Sequence, residues 1–255
     1  MPFAGSLRSI GLNMSEATLT TAVVLAGGLG TRLRSVVDDR PKPMAEVAGR
    51  PFLEHLLRYW HMQGIENFVL SVGYRCKYIQ DHFGNSFAGC RIEYVVEPQP
   101  LGTGGGLLLC QRQLQLVNPF LLLNGDTFFA VKADELQNQA SRHDADWCFS
   151  LFPTTDTNRY LAAELNHTGR LSFGVSKSGL GDGLIHWSNG GVYLVHPRAL
   201  VPFSDYKGNL SLELALLQKC DRIGQVFCGI KSRATFIDIG IPEDYTKAKS
   251  MPCFS

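Results

Sequence analysis

The chain has no C-x-x-C pair, no H-E-x-x-H, no excess of charge of either sign and no long apolar run, and each absence removes a class of protein. Its seven cysteines, Cys76, Cys90, Cys110, Cys148, Cys220, Cys228 and Cys253, are odd in number and widely spaced. A disulfide framework or a thiolate zinc site needs paired, closely spaced thiols, so these read as small buried hydrophobes in a reducing compartment. The histidines lack metal spacing too: His55 and His61 lie six apart on an expected helix, which is not one face. A net charge of +1 offers no field for nucleic acid, so any anion binding has to be local to a pocket. No segment approaches the roughly 20 apolar residues of a membrane helix. Residues 1–20 lack the continuous apolar core of a signal peptide and are expected to form a loosely ordered leader, with Met14 as an alternative start. The protein is expected in the cytoplasm, with neither nucleic acid nor a membrane as partner.

What is present is an alternation of short apolar runs with helical periodicity. Strands are expected at Ala22–Ala26, Asn67–Val72, Ile92–Val96, Phe120–Leu123, Trp147–Phe152, Gly190–Val195, Gln225–Ile230 and Thr235–Ile239. Helices are expected at Arg50–Met62, Lys77–Phe83, Leu107–Leu116, Asp134–His143 and Leu212–Lys219, with a last one from Pro242. Leu161–Phe173, with Thr168-Gly169 at its middle, reads as a hairpin. This order predicts an α/β fold: a mainly parallel mixed sheet flanked by helices, with a smaller second lobe, in one domain over residues 21–250.

The first strand empties into Leu25-Ala26-Gly27-Gly28-Leu29-Gly30-Thr31-Arg32-Leu33, followed by Pro41-Lys42-Pro43. Glycines let successive backbone N–H groups face an anion, and Arg32 and Lys42 make that anion a phosphate chain. Leu33 stands where the dinucleotide fingerprint needs its third glycine, and G-x-x-x-x-G-K-[ST] is absent. Pro41 and Pro43 also forbid a long helix directly after the loop. The loop therefore wraps a phosphate chain in a way that neither standard motif does, and a nicotinamide oxidoreductase is disfavoured.

Two acids interrupt apolar strands far downstream. Asp126 follows a buried strand in Asn124-Gly125-Asp126, and Asp238 lies in Phe236-Ile237-Asp238-Ile239-Gly240. A carboxylate at the carboxyl end of a central strand needs a cationic partner, and Mg²⁺ shared with phosphate oxygens suits two such acids. The stretch Glu97-Pro98-Gln99-Pro100-Leu101-Gly102-Thr103-Gly104-Gly105-Gly106 fits a platform for a nucleobase or a plain strand-to-helix connection.

Together these motifs, over about residues 22–245, resemble the sugar-phosphate nucleotidyltransferases. The resemblance implies a single Rossmann-like nucleotidyltransferase domain with a smaller sugar-binding lobe. It implies nucleotide contacts from Leu25, Ala26, Gly27, Gly28, Gly30, Thr31, Arg32, Gln99, Gly102, Thr103, Asn124 and Gly125. Asn189 and Gly190, in Ser188-Asn189-Gly190-Gly191, with Glu213 and Lys177, are implied as sugar contacts. Arg32, Lys42 and Asp126 would carry the catalysis, with Asp126 and Asp238 as Mg²⁺ ligands. The chain departs from the family pattern at Val175-Ser176-Lys177, where Glu-Lys is usual, and at Ala130, where an acid is common. A finer likeness, carried by residues 123–129 and 237–242, is to the guanylyltransferase branch that acts on manno-heptose 1-phosphate. GTP and a sugar 1-phosphate are the implied substrates. A mannose- or glucose-1-phosphate enzyme is the runner-up, a non-catalytic ligand-sensing relative stands as the reading of a different class, and the sequence leaves a homodimer open.

Overall fold

Thr21–Ala26 (β1) is apolar on both faces, the pattern of a strand covered on both sides by helices. The computed structural model describes residues 18–33, 35–156, 159–160, 162–173 and 185–254. After β1 come β2 (Glu46–Val47), β3 (Arg50–Pro51), α1 (Phe52–His61), β4 (Asn67–Val72), α2 (Cys76–Phe83), β5 (Ser86–Phe87), β6 (Cys90–Val96) and α3 (Gly102–Leu114). The chain continues with β7 (Phe120–Asn124), β8 (Thr127–Phe129), α4 (Ala133–His143), β9 (Trp147–Thr154), β10 (Ala163–Leu165), β11 (Leu171–Phe173) and β12 (His186–Val195). A π-helical turn at Leu212–Leu216 leads into α5 (Leu217–Arg222), followed by β13 (Phe227–Lys231), β14 (Phe236–Asp238) and α6 (Pro242–Ala248).

Eight strands form one sheet in the order β13-β9-β12-β7-β1-β4-β6-β5. β1 pairs in parallel with β4 on one side and β7 on the other, while β12 runs antiparallel to both its neighbours. The sheet is therefore mixed, as expected, and the strand order reverses direction at β1. Such a switch point leaves a crevice at the carboxyl ends of the central strands. The glycine loop leaves β1 there, and Asp126 follows β7 beside it.

Side-chain alternation divides the core between the two faces. Ala22, Val24, Leu121 and Leu123 pack on one side with Phe52, Leu53, Leu56, Leu57 and Trp60 of α1. Val23, Phe120 and Leu122 face the other way, against Leu107, Leu108 and Cys110 of α3. Fully burying a large apolar side chain contributes about 1.5–3 kcal/mol, so the five apolar residues of α1 anchor that helix firmly. Cys90, Cys110, Cys148, Cys220 and Cys228 are buried and all seven thiols are free, matching the hydrophobic reading.

Two expectations shift. Leu19 and Thr20, placed in the sequence within the expected leader, belong to the folded domain: Leu19 is buried, and the Thr20 carbonyl accepts from the amides of Glu66 and Asn67 at 2.9 and 3.0 Å. Residues 1–17 lie outside the described residues. The helix expected from Arg50 begins at Phe52, because Arg50–Pro51 pairs with Glu46–Val47 as a short ribbon. Gly102–Gly106, read in the sequence both as a loop and as the opening of a helix, forms the first turns of α3.

Packing explains those glycines. The amides of Gly104 and Gly105 donate to the Leu210 carbonyl at 2.8 and 3.1 Å, so two of the helix's free N–H groups are taken by the 209–212 segment. A Cβ on Gly105 would lie 2.7 Å from the Gly208 carbonyl oxygen, and one on Gly104 would lie 3.1 Å from that of Leu210. This part of the loop is a helix start pressed against backbone, not an open platform.

Candidate active site

The crevice at the switch point is a cleft of about 1000 Å³. Leu25, Ala26, Gly27, Gly28, Gly30, Thr31 and Arg32 line it on the β1 side, with Lys42, Asn124, Asp126 and Asp238 at its centre. Gly102 and Thr103 line it from α3, and Asn189, Gly190 and Glu213 from the side of β12. Two residues singled out in the sequence lie elsewhere. Gln99 is exposed outside the cleft lining. Gly125 is buried behind it: its amide donates to the Leu25 carbonyl at 3.0 Å, and a Cβ there would come within 2.8 Å of that oxygen. Gly125 thus lets the end of β7 close on the end of β1. Lys177 lies outside the described residues.

Between β1 and α1 there is no α-helix among the described residues; short 3₁₀ turns at Thr31–Leu33 and Lys42–Met44 precede the β2–β3 ribbon. Gly30 has φ +60°, which carries the loop round toward Lys42. Arg32 is exposed at the rim and forms no ion pair among the described residues. Lys42 is held by prolines on both sides and by Met44, whose side chain is fully buried. Its side chain is only 10% exposed, and its Nζ donates to Asp126 Oδ2 at 2.5 Å and stands 4.0 Å from Asp238 Oδ1.

A two-stranded ribbon brings the two acids together. β14 pairs antiparallel with β8, setting Asp238 opposite Thr127, and the Ile239 amide donates to the Asp126 carbonyl at 3.0 Å. Residues more than a hundred positions apart in sequence become neighbours by backbone pairing alone.

Their charges are unequal in consequence. Burial pushes the Asp126 carboxyl up, but the Lys42 ammonium and its hydrogen bond outweigh that and hold it below its ordinary range. Asp238 is pushed upward, by burial and then by the neighbouring Asp126, against the pull of Lys42, the Gly240 amide and Arg159. Lys42 and the Arg159 guanidinium together face three carboxylates, Asp126, Asp238 and Asp244, so one negative charge is left over. A further cation would find an all-oxygen donor set here, which is the chemistry of Mg²⁺. No group of three or more metal-ligating side chains occurs among the described residues, so the remaining ligands would have to be substrate oxygens and water.

On the β12 side, Asn189 Nδ2 donates to the Tyr193 hydroxyl at 2.6 Å, and that hydroxyl donates to Glu213 Oε1 at 3.0 Å. The bend that aims Asn189 depends on Gly191, at φ +71°, where β12 shifts register against β9. Burial pushes the Glu213 carboxyl above its ordinary value of 4.5, and the Asp126 charge adds to this against bonds from its backbone and Tyr193. For an acid raised in the folded state, the penalty is absent where both states are protonated and grows as pH rises through the folded value. Glu213→Gln is therefore expected to raise Tm by about 2–4 °C near pH 8 and to leave it unchanged near pH 4. Thermal melts across that range check this, and an equal shift at both ends would remove the carboxylate charge as the cause.

Several residues of the cleft were missed in the sequence, Arg159, Tyr160 and Glu97 among them. Arg159 lines it and bridges Asp238 at 3.3 Å and Asp244 at 2.7 Å, with Tyr160 beside it. Both sit on an irregular segment with no pattern to mark them. Glu97 is the third: its Oε1 accepts from the Ser71 hydroxyl at 3.0 Å and its Oε2 from the Leu101 amide at 3.1 Å. An acid just past the end of an apolar strand was the available signal, the same one that marked Asp126.

Comparison with known proteins gives the family. The family model described as nucleotidyl transferase matches residues 21–251. A D-glycero-alpha-D-manno-heptose 1-phosphate guanylyltransferase of Aneurinibacillus thermoaerophilus is 37% identical over 228 residues, covering 89% of this chain and 96% of the relative. One of the same description from Campylobacter jejuni is 36% identical over 225 residues, covering 88% and 96%. Among solved structures, HddC from Yersinia pseudotuberculosis, complexed with GMP-PN, superposes with a TM-score of 0.74 at 33% identity, covering 91% of this chain and 98% of that one. No helix among the described residues is long and apolar enough to cross a membrane.

Proposed function

The chain belongs to the nucleotidyl transferase family, and from that membership we propose that it transfers GMP from GTP to D-glycero-α-D-manno-heptose 1-phosphate, releasing pyrophosphate. The observation that carries the transfer chemistry is Lys42, buried at the end of the glycine loop and shared by Asp126 and Asp238. The heptose and the guanine rest on the likeness to the two heptose 1-phosphate guanylyltransferases, each matched over nearly its whole length.

In the reaction a phosphate oxygen of the sugar 1-phosphate attacks the α-phosphorus. The new P–O bond forms as the bond to the bridging α–β oxygen breaks, and pyrophosphate leaves with that electron pair. No covalent intermediate is needed, so positioning and charge complementarity do the catalysis. Backbone N–H groups of Gly27–Thr31 would cradle the triphosphate, and the unpaired Arg32 guanidinium would grip its departing end. Lys42 would meet the charge that develops on the α-phosphoryl oxygens. Asn189 and Glu213, tied through Tyr193, would hold sugar hydroxyls facing that phosphorus. Asp126 and Asp238 would hold Mg²⁺, which when bound supplies neutralisation of the phosphate charges.

A ligand-sensing relative without activity should have lost part of the charged set. Arg32, Lys42, Asp126 and Asp238 all line one cleft, which favours the enzyme. The reading expects the protein in the cytoplasm, with its substrates. The test is a panel of GTP, ATP, CTP, UTP and dTTP against heptose, mannose and glucose 1-phosphates, read by pyrophosphate release with Mg²⁺. GTP with the manno-heptose phosphate is expected to have the highest kcat/KM. A different preferred pair would replace the specificity, and no release with any pair would overturn the reading.

A further inference from the structure

Arg159 joins two acids that lie on either side of one turn. Asp238 ends β14, Asp244 sits in the first turn of α6, and the arginine reaches both from the segment after β9. Its Nη1 donates to Asp244 Oδ2 at 2.7 Å and its Nη2 to Asp238 Oδ2 at 3.3 Å, so the guanidinium leans on Asp244. It is held on its own side as well. Its amide donates to Asp156 Oδ1 at 3.0 Å, and the guanidinium carbon lies 5.0 Å from the centre of the Tyr160 ring. The Gly240 amide donates to the other Asp238 oxygen at 2.7 Å. The side chains of Arg159, Asp238 and Asp244 are each a quarter exposed or less, so solvent screens their charges weakly.

An arginine seated on an acid that is to hold a metal works against the metal. Asp126, Asp238 and Asp244 bring three negative charges when ionised, and Lys42 and Arg159 bring two positive ones, so the linked set is left with one negative charge. A divalent cation on Asp126 and Asp238 would leave one positive charge in excess. Without Arg159 the set would carry two negative charges, which a divalent cation balances. Charges a few ångströms apart in a weakly screened site interact strongly, so the guanidinium lowers the affinity of these acids for a second cation. The phosphate chain of a nucleotide brings the negative charge that the set lacks.

We propose that Arg159, anchored on Asp244, keeps Asp126 and Asp238 from holding a divalent cation by themselves, so that the ion is retained only when a triphosphate shares it. This rests on the reading of the two acids as Mg²⁺ ligands and adds the residue that makes their loading conditional. Arg159 acts through Asp238 and is a positioning residue. Asp244 matters as much as the arginine, because it takes the shorter of the two bonds and so limits how far the guanidinium settles on Asp238. By reciprocity, an ion that stays only with the triphosphate also tightens the triphosphate.

The test is equilibrium dialysis of the full chain against Mn²⁺, with and without GTP on both sides of the membrane and with no sugar phosphate, so that binding is read without turnover. Wild type is expected to retain Mn²⁺ with GTP and to hold it weakly without. In the absence of GTP, Arg159→Met is expected to hold Mn²⁺ at least about tenfold more tightly than wild type. Asp244→Asn is expected to hold it several-fold more weakly, because a negative charge is gone and the released arginine settles on Asp238. An arginine that merely props its segment would not give changes of opposite sign. Adding Asp126→Asn to R159M is expected to abolish the gain, and a gain that survives would put the ion elsewhere and overturn the proposal. The proposal also fails if R159M gains nothing, if D244N loses nothing, or if wild type holds Mn²⁺ equally with and without GTP. Wild type that retains no Mn²⁺ even with GTP would instead bring down the metal reading, and this inference with it. Should R159M not fold, Arg159→Gln serves with the same expectation.

Discussion

Replacing Lys42 by methionine is expected to lower kcat about 1000-fold, the scale seen when one preorganised charge is removed from a developing anion. The side chain is 10% exposed and stands between two carboxylates, so water cannot take its place. Removing it leaves Asp126 and Asp238 facing each other with less compensation, and both carboxyls should then titrate higher. The loss is expected mainly in kcat, with KM for the sugar phosphate changing less than about tenfold, because the residues proposed to hold the sugar lie on β12 and at Glu213. Lys42→Arg should recover little. The ammonium sits at the end of a stem pinned by Pro41 and Pro43, and a planar fork needs room on the Asp238 side that Gly240 backbone already borders. Steady-state kinetics on purified variants decide this; a kcat loss below tenfold would mean that Lys42 only shapes the loop.

Asp126→Asn is expected to cost a similar factor, about 1000-fold in kcat, by a different route. The amide keeps the shape and the Thr127 contact but removes the charge that Lys42 balances. The Mg²⁺ concentration for half-maximal activity should rise by at least about tenfold, since Asp238 alone would remain as a charged protein ligand. Lys42 should shift its weight to Asp238, already 4.0 Å away. Folding should change little, because the ribbon that carries Asp126 is held by backbone pairing with β14. Activity measured against Mg²⁺ concentration, with thermal melts as the control, tests this. An unchanged Mg²⁺ requirement would remove Asp126 from the metal site.

Much of the fold was legible because its strands are short, apolar and bounded by glycine or proline. β1, β4 and α2 fall within a residue or so of their expected positions. The failures occur where a local pattern has two meanings. Gly102–Gly106 reads either as an open loop or as the opening of a helix, since five residues with four glycines have weak helix propensity. It is helical because the backbone of 208–212 lies against it and accepts two of its amides. Leu212–Lys219 reads as one helix and instead begins as a π turn, with Ser211 capping the Leu214 amide.

In the site, residue type and sequence position were enough to mark Arg32, Lys42, Asp126 and Asp238. A glycine-rich turn after a buried strand and acids breaking apolar strands are local anomalies, costly unless they serve a ligand. Partnership is another matter. That Lys42 lies between the two acids, that Arg159 bridges to Asp238, and that Glu97 rather than Gln99 faces the cleft are results of strand pairing and packing. Glu97 and Gln99 are two positions apart in one proline-rich stretch, and only the anchoring of the first by Ser71 and Leu101 separates them. The sequence by itself pointed to the family and to the charged groups proposed for its chemistry, because acids that break apolar strands and a glycine turn flanked by cations are costly without a ligand. Tertiary structure alone decided which charges meet and which of two neighbouring polar residues lines the cleft, because electrostatic coupling and hydrogen bonding act over a few ångströms between residues that chain order leaves far apart.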